Sequence, residues 1–246
     1  IAGRRCPRAT RCANIAGGSM NIDGISPRML EPGFYNMDCM DGMAQFPDKF
    51  FELAIVDPPY GIGAESGTGD YSKAVVAKGK RWDVAPEQDY FAEIARVSKK
   101  QIVWGGNYFA LPVRRGWICW YKTDEIKGRD FSEFELAWYS EDVPARHISL
   151  KPFIRGGERI HPTQKPIALY KWLLSNYAKP GDKILDTHVG CASSLIACHQ
   201  MGFEYWGFEL DADYFKAATE RLNRAKAQVS MAELMKPPQI EQIKIV

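Results

Sequence analysis

Three observations predict an α/β fold with a mostly parallel seven-stranded sheet and an antiparallel edge hairpin. Short runs rich in β-branched and aromatic residues, bounded by turn residues, recur seven times along the chain. Segments of helical period separate several of them, the alternation expected of a parallel sheet covered on both faces. Residues 116–121 and 134–139 have no helical pattern between them, so they read as a hairpin at a sheet edge.

In chain order the predicted strands are 34–38, 52–57, 100–104, 116–121, 134–139, 183–186 and 205–209. A helix over 87–97 places Tyr90, Phe91, Ile94 and Val97 on one face. A second opens with Pro166 in its first turn, buries Leu169, Leu173 and Tyr177, and stops at Pro180-Gly181. A third starts at Ser193-Ser194-Leu195 and is ended by Gly202; the fourth and clearest, about 211–228, repeats Phe215, Ala218, Leu222 and Ala225 behind an Asp211 cap. These stripes are read as core, because packing on a sheet demands that spacing.

Composition bounds the function classes. The 246 residues are 46% hydrophobic and 25% charged, which excludes disorder, collagen-like repeats and small disulfide scaffolds. No apolar run approaches the roughly 18 residues that span a bilayer, so the reading is a soluble cytoplasmic protein. Cys6, Cys12, Cys39, Cys119, Cys191 and Cys198 are scattered without metal-ligand spacing, which favours free thiols and gives no metal site. The net charge of +2 hides an asymmetry: residues 1–19 carry Arg4, Arg5, Arg8 and Arg11 and no acid. That segment, ending in Gly17-Gly18-Ser19, is expected to be a tail, leader or expression-derived stretch, or else a basic arm for nucleic-acid phosphates. Residues 20–246 are expected to form one domain, with polar insertions at 61–83 and 143–160.

The second half holds a strand, turn and helix with an acid at a telling distance. Lys183 to Asp186 lead into Thr187-His188-Val189-Gly190-Cys191-Ala192, and the helix opening at Ser193 presents unpaired amides suited to an anionic group. Glu209, at the end of the next strand, is placed to hold both hydroxyls of a ribose. Only Gly190 remains of a dinucleotide fingerprint, so a nucleoside with a smaller anionic end fits better than a pyrophosphate; S-adenosylmethionine is such a molecule. A purely structural turn with a capping acid is the alternative on spacing alone.

Asp57-Pro58-Pro59-Tyr60 follows directly on an apolar strand, at the carboxyl end where α/β sheets bind ligands. Pro58 and Pro59 cannot extend the ladder, and they fix the backbone so that a carboxylate, an accepting carbonyl and an aromatic face lie side by side. Such a cup suits an exocyclic amino group on a planar base, its two N–H bonds pointing at Asp57 and the Pro58 carbonyl while Tyr60 stacks on the ring. Holding both protons frees the nitrogen lone pair for attack on an electrophilic methyl group. The bland alternative is a Pro-Pro strand terminator.

Together, Asp57-Pro58-Pro59-Tyr60, His161-Pro162-Thr163-Gln164-Lys165-Pro166 and Asp186-Thr187-His188-Val189-Gly190 resemble the DNA amino-methyltransferases, especially small phage-borne adenine-N6 enzymes of the restriction-modification type. The catalytic tetrapeptide precedes the cofactor turn, which is similar to the permuted β order of that family, and the resemblance spans Tyr35 to about Leu222. It implies a Rossmann-like S-adenosylmethionine-dependent methyltransferase fold, S-adenosylmethionine as cofactor, double-stranded DNA as partner and an arrangement that often pairs as a homodimer. It further implies that Asp57 and Pro58 bind the target amino group and that Tyr60 stacks on the flipped base. Asp186, His188, Gly190 and Ser193 match the cofactor turn and helix start, Glu209 the ribose acid, and Asp38 the acid at the adenine end of the cofactor. His161, Thr163 and Lys165 match the segment closing over its methionine end. The chain departs from the family pattern at His188, Cys191 and Ala192, where Phe and more glycine are usual.

Basic residues mark where nucleic acid would sit. Residues 61–83 include Lys73, Lys78, Lys80 and Arg81 and read as a flap around an extruded base. From Val143 to Lys165 the cations Arg146, Lys151, Arg155, Arg159 and Lys165 face only Glu158, and Lys127 with Arg129 lie between the hairpin strands. Adenine-N6 methylation of DNA is therefore the leading expectation. Its rivals are cytosine-N4 methylation, for which Ser more often opens the motif, RNA adenosine methylation, and a nucleic-acid-binding module that has lost catalysis through its altered turn.

Overall fold

In the computed structural model the described residues are 29–63, 83–123, 132–152, 160–161 and 163–228. Residues 1–19, expected as a tail or leader, most of 61–83, expected as a flap with Lys73, Lys78, Lys80 and Arg81, the segment between the β-hairpin strands with Lys127 and Arg129, and Arg155 and Arg159 lie outside them.

Among the described residues eight strands form one sheet: β1 (Gly33–Asn36), β2 (Phe51–Val56), β3 (Ser98–Trp104), β4 (Trp117–Tyr121), β5 (Phe134–Tyr139), β6 (Arg146–Ser149), β7 (Lys183–Asp186) and β8 (Glu204–Glu209). Their spatial order is β1-β8-β7-β2-β3-β5-β4-β6, with β5 antiparallel to both neighbours and every other pairing parallel. The sheet is thus mixed and eight-stranded, which corrects the expected count of seven. The expected antiparallel pair exists, Trp117 facing Trp138 and Tyr121 facing Phe134, but it is not the edge. β6 lies outside β4 in parallel register, Ile118 opposite Arg146, in a stretch read from sequence as polar insertion. Its four residues, Arg-His-Ile-Ser, lack the apolar alternation that marks a strand.

Period-two alternation delivers side chains to both faces. Leu53, Ile55, Ile102, Trp104 and Ile184 pack with α3 (Ile167–Tyr177), α4 (Ser193–Met201) and α5 (Ala212–Ala227). Ala54, Val56, Val103, Leu185 and Phe208 pack on the other side with α1 (Cys39–Met43) and α2 (Gln88–Val97). The helix ends follow the expected chemistry. The Asp211 carboxylate accepts from the N–H groups of Asp213 and Tyr214 at the start of α5, and Gly202, at φ +75°, closes α4 in the left-handed region.

Two results of this topology matter for chemistry. The carboxyl ends of β1, β8, β7, β2 and β3 share one edge of the sheet, so the residues that follow them converge there. Because β5 runs backwards, its first residues, Phe134 and Glu135, reach the same edge beside the ends of β3 and β4.

Candidate active site

A cavity of about 1220 Å³ opens at that edge and brings together both motifs and the segment before α3. Asp57 through Tyr60 line its middle, Asp38, His188, Gly190 and Glu209 one side, and Lys122, Glu135 and Tyr108 the other. His161, Thr163 and Lys165 line it as well.

At the end of β2 the Asp57 carboxylate accepts from the Tyr60 hydroxyl at 2.8 Å and from the Lys165 ammonium at 2.5 Å. The Lys165 side chain is only 2% exposed; its other neighbours are a Glu135 oxygen at 3.1 Å and the Tyr60 hydroxyl at 3.3 Å. Glu135 in turn pairs with Lys122 at 2.6 Å. Burial pushes the Asp57 carboxyl above its ordinary range, with Lys165 opposing the rise. Burial also works against the charge of Glu135, but Lys165 and Lys122 outweigh it and hold that carboxyl low. For Lys165 burial is likewise outweighed, here by Asp57 and Glu135, and its pKa is raised.

The Tyr60 ring lies between two neighbours. Tyr108 stacks on it with centroids 5.2 Å apart and planes 22° from parallel. Gly105, at φ +67°, passes so close that an added Cβ would stand 2.3 Å from a Tyr60 ring carbon. Only glycine satisfies both that backbone conformation and that approach.

The turn after β7 is held from below. Asp186 is buried and accepts from the Ser194 hydroxyl and from the His188 N–H at 3.0 Å. Burial raises its carboxyl to about 7. His188 contacts the Tyr90 hydroxyl at 3.2 Å and Thr187 Oγ1 at 3.0 Å through Nδ1, and burial lowers its pKa to about 4, so the ring is neutral near neutral pH. Gly190 and Ala192 both adopt positive φ, +55° and +61°. Ala192 therefore occupies, with a side chain, a conformation that glycine takes without strain.

Glu209 ties the two nucleoside-side loops together, accepting from the Gly190 N–H at 2.9 Å and the Asp211 N–H at 3.0 Å. Asp38 lines the cavity and also caps α1, accepting from the Met40 N–H at 2.7 Å. His161 Nδ1 lies 3.0 Å from Thr163 Oγ1, and the imidazole packs against Tyr214 with centroids 4.6 Å apart.

Four of the predicted residues have partners within the protein that bear on their expected roles. Ser193 is buried, with its hydroxyl on Arg221 at 3.0 Å and on the Cys191 sulfur at 3.2 Å, away from the cavity lining. Asp186 also lies behind the lining, as the brace of the turn. Lys165 meets Asp57 where the resemblance implies the cofactor's methionine end. Arg146, read as a phosphate contact, sits on β6 and donates to Asn176 at 3.1 Å, while Lys151 is exposed just beyond that strand. Glu135, Lys122 and Tyr108 were not singled out from sequence. An acid at the start of an otherwise apolar strand was the available signal for Glu135, because a carboxylate there needs a partner.

The donor and acceptor set of this edge fits S-adenosylmethionine. Glu209 accepts two backbone N–H bonds and, with about four lone-pair directions per carboxylate, keeps capacity for a ribose diol. The Gly190 turn and Asp38 flank it in one cavity, and Asp57 lies within the same cavity.

Comparison with known proteins agrees with this assembly. Residues 98–220, half of the chain, match the model of the N6/N4 methyltransferase family, described as DNA methylase. A methylase of Escherichia coli (strain K12), YubD, is 26% identical over 77% of this chain and 89% of its own length. The type II methyltransferase M.HinfI of Haemophilus influenzae is 24% identical over 82% of this chain and 72% of its own. Among solved structures, the complex of M1.HpyAVI with SAM superposes with a TM-score of 0.53 at 18% identity, covering 78% of this chain and 98% of that one. TTHA0409 of Thermus thermophilus, complexed with S-adenosyl-L-methionine, gives 0.50 at 16% identity over 80% and 95%. These two likenesses establish the fold, and the family match reaches further: the chain belongs to the N6/N4 DNA methylase family, whose members use S-adenosylmethionine.

Proposed function

We propose that this protein methylates the N6 amino group of adenine in double-stranded DNA, with the base extruded into the cavity beside Asp57. The observation that carries this reading is the cup at the end of β2: the Asp57 carboxylate, Pro58 and the Tyr60 ring lie at the centre of a cavity whose flank carries Glu209 and Asp38. An aspartate at the first motif position favours adenine, since a serine there is the more frequent companion of cytosine.

S-adenosylmethionine, when bound, supplies an electrophilic methyl group on a positively charged sulfur. Glu209 and Asp38 hold the nucleoside side, and His161 with Thr163 close the approach before α3. Asp57 and the Pro58 carbonyl accept the two N–H bonds of the target amino group, which draws the nitrogen lone pair out of conjugation with the ring. Tyr60, with Tyr108 stacked against it, offers the base an aromatic surface, Pro59 fixes the backbone between Pro58 and Tyr60, and preorganised groups lower the barrier. The basic stretches contribute phosphate contacts, for which Arg146 and Lys151 are described and exposed.

The deciding experiment incubates the protein with methyl-labelled S-adenosylmethionine and mixed DNA and RNA, then analyses the product nucleosides by mass spectrometry. N6-methyladenine in DNA is the expected product. N4-methylcytosine, or label in RNA alone, would overturn the substrate while leaving the roles of the cup intact. Asp57→Ala should lower transfer at least ~100-fold while leaving the far-ultraviolet spectrum unchanged, the scale of losing one preorganised polar contact. Near-normal turnover in that variant would remove the cup from the mechanism.

A further inference from the structure

We propose that Lys165 is a positioning residue for methyl transfer: its ammonium, shared between Asp57 and Glu135, keeps the Asp57 carboxylate ionised and oriented toward the target amino group. This deepens the reading of the cup given above and rests on it.

The geometry carries the proposal. Among the described residues Lys165 has an oxygen neighbour for each of its three protons: Asp57 at 2.5 Å, Glu135 at 3.1 Å and the Tyr60 hydroxyl at 3.3 Å. Its ammonium also lies 5.2 Å from the Trp104 ring centroid and 5.7 Å from that of Tyr60, so aromatic faces back the charge. No proton is left over for a cofactor carboxylate, although the motif that contains Lys165 resembles a cofactor-closing segment. The lysine instead reaches from the segment before α3 to the ends of β2 and β5.

Charge makes the arrangement directional. Lys122, Glu135, Lys165 and Asp57 form a chain of alternating sign, with links of 2.6, 3.1 and 2.5 Å. The four charges cancel, as buried charges must if they are to persist. Among the described residues the other titratable groups coupled to Asp57 are the hydroxyls of Tyr60, Tyr90 and Tyr170, all held well above their ordinary range by burial, and the carboxyl of Asp186. Three of these are neutral in the working range, so Lys165 and Glu135 dominate the field at Asp57.

Only an ionised Asp57 can accept from Lys165, from Tyr60 and from one N–H of the amino group together; a protonated carboxyl turns one of its oxygens into a donor. Lys165 stabilises the ionised form and Glu135 destabilises it. Removing one or the other therefore moves the ionisation of Asp57 in opposite directions, a result that loss of packing cannot produce.

Single-turnover rates on DNA, taken with the full chain from pH 5 to 9, test this alongside calorimetric binding of S-adenosylmethionine. Lys165→Met should lose at least ~10-fold in rate at neutral pH, and its acidic limb should move up by about one unit or more. Affinity for S-adenosylmethionine should stay within ~2-fold, and Lys165→Arg, which keeps the cation, should recover most of the rate and the original limb. Glu135→Gln should move the limb down. A fall of ~10-fold or more in cofactor affinity with an unmoved limb would return Lys165 to the cofactor and overturn the proposal. So would limbs that move the same way in Lys165→Met and Glu135→Gln. Should Lys165→Met fail to fold, Lys165→Arg and Glu135→Gln decide alone, since both keep a paired centre. Asp57→Ala separates the two readings. An active Asp57→Ala removes the cup itself, whereas an inactive one combined with unmoved limbs removes only the role given to Lys165.

Discussion

Tyr60 shows how much of the site depends on single atoms. Its hydroxyl donates to Asp57 at 2.8 Å, one face is stacked by Tyr108, and the ring carbons press on Gly105. Stacking alone would make Tyr60→Phe nearly silent, but the hydroxyl bond changes the expectation. A hydrogen bond to a charged group is worth about 1.5–3 kcal/mol, so Tyr60→Phe should slow methyl transfer by roughly 10-fold. Tyr60→Ala removes the stack as well and should cost at least ~100-fold; steady-state kinetics on both variants checks the order, and a more damaging Phe would exclude the stacking role. Gly105→Ala should be worse than its size suggests. The left-handed conformation costs an L-residue about 1–2 kcal/mol, and the new methyl must also displace the Tyr60 ring. Thermal denaturation should show the first effect and loss of turnover the second.

At the scale of the element, the turn after β7 carries two buried groups with opposite pH habits. Asp186 is raised to about 7, so between the unfolded carboxyl range and that value the folded protein binds the extra proton, and its contribution to stability falls as pH rises. His188 is lowered to about 4, so from there to about 6.5 the unfolded chain binds the extra proton, and stability rises with pH. Each slope is at most about 1.4 kcal/mol per pH unit, and over most of this range they oppose each other. Relative to the wild type, Asp186→Asn should gain stability as pH rises from about 4 to 7, and His188→Gln should lose it from about 4 to 6.5; urea titrations at four pH values read both. Parallel curves for wild type and both variants would exclude the buried titrations. The turn was legible in sequence because a strand, a lone glycine and a helix start each have a local signature. What it does internally was not, because the Ser194 and Tyr90 contacts join residues 8 and 97 positions apart. The same limit hid β6, whose three polar residues and single isoleucine form a strand only because β4 offers an edge. It also hid Glu135, whose place at the cavity depends on β5 running backwards. Lys165 was found by its motif, but its partner was not, since a long flexible stem decides where the charge ends up.

Across the whole molecule the parallel strands divide the cavity into two working sides. β1, β7 and β8 supply Asp38, Gly190 and Glu209, while β2, β3, β4 and β5 lead to Asp57, Tyr108, Lys122 and Glu135. Two variants, one on each side, test whether this division is functional. Glu209→Ala removes a carboxylate that holds the Gly190 and Asp211 amides and, in the proposed function, the ribose diol. Losing hydrogen bonds to a charged acceptor at about 1.5–3 kcal/mol predicts a fall of ~10-fold or more in S-adenosylmethionine affinity, with DNA affinity nearly unchanged. Tyr108→Ala removes a half-exposed ring, 48% accessible, that stacks on Tyr60 at the cavity. It should leave S-adenosylmethionine affinity within ~2-fold and lower the rate on DNA by roughly 10-fold, because stacking contributes about 1–3 kcal/mol to holding a base. Calorimetry with the cofactor, fluorescence titration with duplex DNA and single-turnover rates separate these effects. If both variants weakened both ligands equally, the two sides would be one cooperative unit, and the division drawn from strand order would not describe how the protein works.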